Sequence, residues 1–298
     1  MAKGYQVQEI KQKLVDVLIN SETGLSGVEI SEKLGVNRVT MSKYLNIFVT
    51  EGLIGRKNIG NVNLWFLEEG TEQFEFPADY FRVKIKYLEL LTQRSEQKSY
   101  NLIRNCIHSK ANTSKIMYEI IVPAIQSVQE LFEQGKISKS ESKLLETIIS
   151  NSIQILYLIN AEIDERKNVV LISADSQSVL LAEAASASFH SEGWNVSSLG
   201  DMSDAIDVMF DLDLQKFLGK VWLKNRDIMI IVIFSVTEEG LKFFSQAVNS
   251  AKGKFGKNLN LILCSNLNKK TSAKADLVAN NLETVLQWSQ TIFERSIN

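Results

Sequence analysis

Imidazole and thiol are scarce in this chain of 298 residues: His108, His190, Cys106 and Cys264 are its whole stock. His190 follows Gln177 by thirteen residues in a run that reads as one helix, about 20 Å along its axis. His108 falls near a helix end. No Ser-His-Asp or Cys-His set can be assembled from these groups. There is no P-loop, and no GxGxxG follows the first strand of the C-terminal part. The cysteines fit no CxxC spacing and each sits in an apolar pattern, which implies packing in a reducing compartment. Catalysis is therefore not expected, and no metal site either.

What remains is binding chemistry. Asn37, Arg38, Val39, Thr40, Ser42, Lys43 and Asn46 crowd one helical pattern, with Arg56 and Lys57 on a hairpin just beyond. Guanidinium, ammonium, hydroxyl and amide groups of this kind suit phosphates and base edges. A second group, Asp175 with Ser235 and Thr237, falls at the carboxyl ends of predicted strands, where open α/β sheets bind ligands. The competing reading of Asp175 is loop capping.

The elements that must position the first group are legible. Val7, Ile10, Leu14, Val17 and Leu18 make a helical stripe within Tyr5–Asn20. Ser26-Gly27-Val28-Glu29 has the form of a capping box, and the helix it opens should stop at Gly35 in the left-handed region. Asn37 can cap a further helix through Glu51, ended by Gly52. On that helix Met41, Leu45 and Phe48 fall within about 60° of one another at 100° per residue and should be core. Val39, Lys43, Asn46 and Thr50 then face outward, and Arg38, Thr40 and Ser42 come early enough to meet base edges. Ile54–Lys57 and Val62–Leu67 read as two strands around a tip of Asn58-Ile59-Gly60-Asn61. Helix-turn-helix plus hairpin resembles a winged-helix DNA-binding domain, and the run from Glu29 to Leu45 resembles that of bacterial and archaeal regulators.

Beyond an acidic stretch from Glu68 to Pro77, helical patterning continues from about Asp79 to Glu165, interrupted by Pro123 and most simply a four-helix bundle. From Asn168 strands and helices alternate. Strands are expected at Val169–Ser173, Asn195–Leu199, Ile228–Phe234, Leu259–Cys264 and near Leu277-Val278, with helices near Val179–Glu192, Ser203–Gly219, Glu238–Lys252 and Leu282–Arg295. Near-continuous apolar strands imply a parallel sheet covered on both faces.

Ala174-Asp175-Ser176-Gln177-Ser178-Val179-Leu180 resembles the loop after the first strand of cobalamin-binding domains, which reads Asp-x-His-x-x-Gly. In that family the His ligates cobalt from below and the Gly admits the corrin. Here Asp175 is kept, Gln177 stands for the His, and Leu180 for the Gly. Tyr118–Val128 followed by Leu131–Ile137 resembles the helical cap that precedes such domains. Phe132 falls where light-sensing repressors of this kind place a Trp over the corrin. Their Glu-His pair would fall at Ser142-Lys143, with Glu141 adjacent but out of register. Gly193–Asp201 and Phe234–Thr237 match the family's turns, whereas Ser265-Asn266 replaces its Gly-Gly.

The expected architecture is thus multidomain α/β. It comprises a winged helix-turn-helix (1–75), a four-helix, cobalamin-cap-like bundle (76–166) and a Rossmann-like, flavodoxin-like parallel-sheet domain (167–298). The resemblance implies a DNA-binding transcriptional regulator with an effector-sensing or oligomerising module. Its expected partners are double-stranded DNA, a second copy or more of itself, and a small-molecule effector. The candidate pocket is Phe132, Ser142, Asp175, Gln177, Ser235 and Thr237. Cobalamin stays open as the cofactor, bound through its own base without a protein ligand. The alternatives are a corrinoid carrier or methyl-transfer accessory protein, and an interaction scaffold. Net charge is −2, and residues 1–67 carry +2 of charge against −4 for the rest, a mild asymmetry. No apolar run approaches a membrane span and the first residues form no signal peptide, so a cytoplasmic protein is expected.

Overall fold

The computed structural model describes residues 7–19, 21, 24–50, 53–60, 62–67, 74–205, 209–222, 228–265 and 272–297. Glu51, Gly52, Asn61, Asn266 and residues 68–73 of the acidic stretch lie outside the described residues. The chain divides into two compact units, residues 1–75 with 104–109, and residues 76–103 with 110–298.

The first unit opens with α1 (Val7–Ile19), β1 (Leu25–Ser26), α2 (Gly27–Leu34) and α3 (Arg38–Thr50), followed by β2 (Ile54–Ile59) and β3 (Val62–Leu67). The capping box forms as its sequence requires: Glu29 N–H donates to Ser26 Oγ and Ser26 N–H to Glu29 Oε2. The Ser26 backbone N–H, and after it the Ser26 hydroxyl, hold the Glu29 carboxyl below its ordinary pKa. Gly35 closes α2 at φ 63°, where an L side chain would be strained. Ile10, Leu14, Leu18, Ile30, Met41, Leu45, Phe48, Ile54 and Trp65 form one core, so the three helices are fixed against the sheet by their apolar stripes. The strands pair antiparallel in the order β1-β3-β2. β2 extends to Ile59, which pairs with Val62, so Asn58 and Ile59 are strand rather than tip.

The second unit starts with four helical stretches. α4 (Tyr80–Thr92) comes first, then α5 (Glu96–His108), which belongs to this unit as far as Ile103. A continuous helical run follows, made of α6 (Thr113–Ile116), a π turn (Met117–Ile121) and α7 (Val122–Glu133), and then α8 (Lys139–Tyr157). Pro123 does not break that run. It sits in the first turn of α7, and Val122 N–H donates to Met117 O five residues back, a π-type bond in the turn before the proline.

The α/β part follows as β4 (Asp164–Ser173), α9 (Val179–Ser191), β5 (Trp194–Asp201), α10 (Phe210–Val221), β6 (Ile228–Phe234), α11 (Glu238–Phe255), β7 (Leu259–Cys264), β8 (Leu277–Ala279) and α12 (Leu282–Ile297). The helix expected over Ser203–Gly219 is a single turn at Ser203–Ala205 and then α10. All pairings in the sheet are parallel, in the order β5-β4-β6-β7-β8. Winding therefore reverses between β4 and β6, which makes their carboxyl ends the topological switch point. Val170, Ile172, Ile231, Ile233, Leu261 and Leu263 pack with Leu214, Leu218, Leu241, Phe244 and Val248 of α10 and α11. The alternate residues Val169, Leu171, Ile230, Val232 and Ile262 are equally buried on the other face, against α9 and α12.

α9 is buried nearly all round, as its run of Ala and Ser permits, because the sheet covers one side and the helical layer the other. Ser150 of α8 donates to Glu183 of α9 at 2.7 Å, and Ser114 of α6 meets Ser191 at 3.2 Å. Helical layer, α9 with α12, sheet, and α10 with α11 thus stack as one unit.

Candidate functional site

On α3 the inward positions are filled as the helical period demands, with Met41, Leu45 and Phe48 essentially inaccessible. The opposite face carries Arg38, Val39, Ser42, Lys43 and Asn46 exposed and Thr40 half-buried. Asn37 accepts the N–H of Val39 at 2.9 Å and so caps the helix. Arg38 reaches Glu32 at 3.5 Å, a solvent-exposed pair of little energetic weight. Lys43 has no ion pair among the described residues, and Asn46 is tied to the carbonyl of Ser42 at 2.9 Å. On the hairpin, Arg56 lies 5.8 Å from the centre of the Trp65 ring and Lys57 is exposed. The hairpin end also presents Ile59 and Val62, 54% and 48% accessible, which the strand pattern alone did not single out.

In the second unit the six candidate pocket residues fall into two sets. Phe132, Ser142 and Gln177 line one cleft of about 420 Å³, between α7, α8 and the loop from β4 to α9. Leu180 lines it from the start of α9, and Ile125, Val128 and Gln129 continue the α7 wall. Gln129 donates to Glu133 at 2.9 Å, and Glu146 accepts from both Ser142 at 3.0 Å and Lys143 at 2.6 Å. Lys139 also lines the cleft. Gln129, Lys139 and Glu146 were not foreseen, because their facing depends on the relative rotation of α7 and α8. Glu141 is engaged elsewhere: it is the third residue of a capping box with Ser138 and pairs with Arg94. The Ser138 backbone N–H and the Arg94 guanidinium hold its carboxyl below the ordinary value.

Asp175, Ser235 and Thr237 form a closed knot at the switch point. Asp175 Oδ1 accepts the N–H and Oγ–H of Ser178 at 3.0 and 2.8 Å. Its Oδ2 accepts Ser235 Oγ–H at 2.8 Å and Val236 N–H at 2.9 Å. Thr237 caps α11 by accepting the N–H of Gly240. A Cβ on Gly240 would lie 2.8 Å from Ser235 Oγ and 3.0 Å from Ala174 Cβ, so the start of α11 packs too closely on these residues for a side chain there. Asp175 here acts as a loop clamp, and the knot lies outside the residues lining the cleft.

A His-ligated corrinoid does not fit these residues. Gln177 presents an amide where cobalt needs an imidazole lone pair. Leu180 puts a branched side chain on the cleft lining where a glycine would leave room, and the Asp175 carboxylate at the switch point is already bonded four times within the fold. His190 stacks on Tyr157 with ring centres 4.7 Å apart, and His108 ends α5, so neither replaces the missing donor. Among the described residues no group of three or more His, Cys, Asp or Glu could hold a metal ion. Both cysteines are buried, and burial pushes the Cys264 thiol up to about 12, well out of the reactive range. No helix of the described residues is long and apolar enough to cross a membrane.

The sequence matches no family model and no curated protein. Among solved structures, the monomethylamine corrinoid protein of Methanosarcina barkeri is similar in fold at 10% identity. The match covers 71% of this chain and 99% of that one with a TM-score of 0.54. The methanol:cobalamin methyltransferase complex of the same organism matches at 12% identity over 76% of this chain and 84% of that one, with a TM-score of 0.36. The first likeness is one of fold, a helical layer on a five-stranded parallel α/β sheet of the corrinoid-protein kind.

Proposed function

We propose that the protein is a DNA-binding transcriptional regulator rather than an enzyme. Its first unit is a winged helix-turn-helix that reads an operator. Its second unit is a corrinoid-protein-like module retasked for effector sensing or self-association. The observation that carries this reading is the outer face of α3. Arg38, Ser42 and Lys43 stand exposed on a helix whose other face is locked into the core, with Arg56 and Lys57 on the hairpin beside it. Recognition helices of this type read base edges with their early residues while wing cations hold phosphates. Paired half-sites call for a dimer. Full-length protein incubated with fragmented genomic DNA of its source at about 0.15 M salt should retain discrete fragments and footprint them. Retention no better than for bulk DNA would sink the reading.

The likeness of fold to a corrinoid protein favours a second reading, a corrinoid carrier. Gln177, Leu180 and the closed switch point argue against it. Co-elution of hydroxocobalamin with the protein on gel filtration, with no DNA retention, would replace the first reading by the second.

A further inference from the structure

Three properties of the α7–α8 cleft, taken together, describe a ligand. It has an apolar part: Ile125, Val128 and Phe132, one stripe of α7, line it together with Leu180 of α9. Phe132 is 43% accessible, a large ring left at the cleft although the same helix buries Ala124, Ile125 and Val128. Its volume of about 420 Å³ lies in the range of sites for small organic ligands. Finally, its polar groups divide sharply. Glu133 and Glu146 accept from neighbours on their own helices. The Gln177 amide and the Lys139 ammonium, by contrast, have no hydrogen bond or ion pair among the described residues. An apolar slot with one uncommitted amide and one uncommitted cation on its lining selects for shape and for negative charge.

We propose that this cleft binds a small carboxylate with an aromatic or aliphatic body. The body lies between Phe132 and Leu180, the carboxylate meets Lys139, and Gln177 bonds a polar edge of the ligand. A corrinoid is not its occupant. The ligand touches both the helical layer and the β4–α9 loop, so it favours whichever arrangement of the two makes both contacts. That differential contact is what an effector needs. The role as effector rests on the regulator reading; the binding site does not.

The test uses full-length protein and 8-anilinonaphthalene-1-sulfonate, an aromatic anion whose fluorescence rises in apolar surroundings. The wild type should show one saturable site, displaced by indole-3-carboxylate at concentrations about tenfold lower than by indole. Phe132→Ala and Lys139→Gln should each weaken the probe roughly tenfold, about 1.4 kcal/mol, with melting temperatures unchanged. Leu158→Ser, which alters a 78% accessible apolar residue outside the cleft, should leave binding as it was. Equal affinity in wild type, Phe132→Ala and Lys139→Gln would overturn the proposal, as would displacement by hydroxocobalamin but not by indole-3-carboxylate. Operator retention is measured separately: its absence with cleft binding intact removes the regulator reading and leaves the site standing.

Discussion

On the outer face of α3, Ser42 and Lys43 hold their polar ends in solvent. At the carboxyl end of β4 each Asp175 carboxylate oxygen is bonded twice within the fold. Both places would be picked from sequence as functional, since each sets polar side chains at the end of a structural element. What separates them is whether the groups are spent. A carboxylate that accepts from two loops has no capacity left for a ligand and serves to fix those loops. A cation that the fold leaves alone keeps its hydrogen bonds for a partner. Binding sites are built where satisfying the internal hydrogen bonds leaves a remainder.

The largest effect should come from breaking the knot. Asp175→Ala removes the acceptor of four hydrogen bonds. It leaves Ser235 and Ser178, 2% and 1% accessible, without it. The expected cost is about 3 kcal/mol of stability, read as a lower urea midpoint. A loss under about 1 kcal/mol would show that the loops hold without the clamp, and would return Asp175 to the list of ligand-binding candidates.

The α3 face should respond in the opposite way. Arg38→Ala with Lys43→Ala should cut operator affinity by roughly tenfold to a hundredfold and move stability by less than about 0.5 kcal/mol. Leu45→Ala, on the inner face of the same helix, should cost roughly 2–5 kcal/mol of stability. If the double substitution destabilised the unit as Leu45→Ala does, the outer face would be structural, and the contrast with Asp175 would collapse.

How much of this could be read beforehand follows the same division. The capping box at Ser26, the stop at Gly35 and the Met41–Leu45–Phe48 stripe are local rules, and each formed as its residues dictate. The parallel sheet was legible because strands buried on both faces are apolar at every position, as Ile228–Phe234 shows. Strand ends were less so: β4 begins at Asp164, where Arg166 is bonded to its carboxyl, and nothing apolar marks that start. The helix through Pro123 was hidden because a π turn satisfies the backbone there, and no composition signals it. At the cleft, the motif led to Phe132, Ser142 and Gln177, which do line one cleft from three elements. It also grouped Asp175, Ser235 and Thr237 with them, and only the bond geometry separates the two sets. Lys139 was unreadable because a lone exposed lysine in the first turn of a helix has no sequence signature.

Glu192 sharpens the comparison from a third side, as a carboxylate that the fold neither leaves in water nor fully satisfies. Burial at the end of α9 raises its pKa above the ordinary 4.5, against the opposing pull of a Ser114 hydrogen bond and the Lys167 charge. The folded state therefore holds this proton more tightly than the unfolded chain does. Protonation linkage then makes stability fall as pH rises from 4.5 through the raised value. Below that window both states are protonated and the group is neutral in its effect. Glu192→Gln removes the ionisation while keeping shape and hydrogen-bonding capacity. The variant should exceed the wild type at pH 7 by a few tenths of a kcal/mol, discounted for the group's partial exposure, and match it near pH 4. Thermal melts across that range read the difference. An advantage equally large at both pH values would trace it to packing, and a loss at pH 7 would mean that Ser114 and Lys167 satisfy the charge in full. Glu192 would then join Asp175 among the carboxylates that the fold has spent.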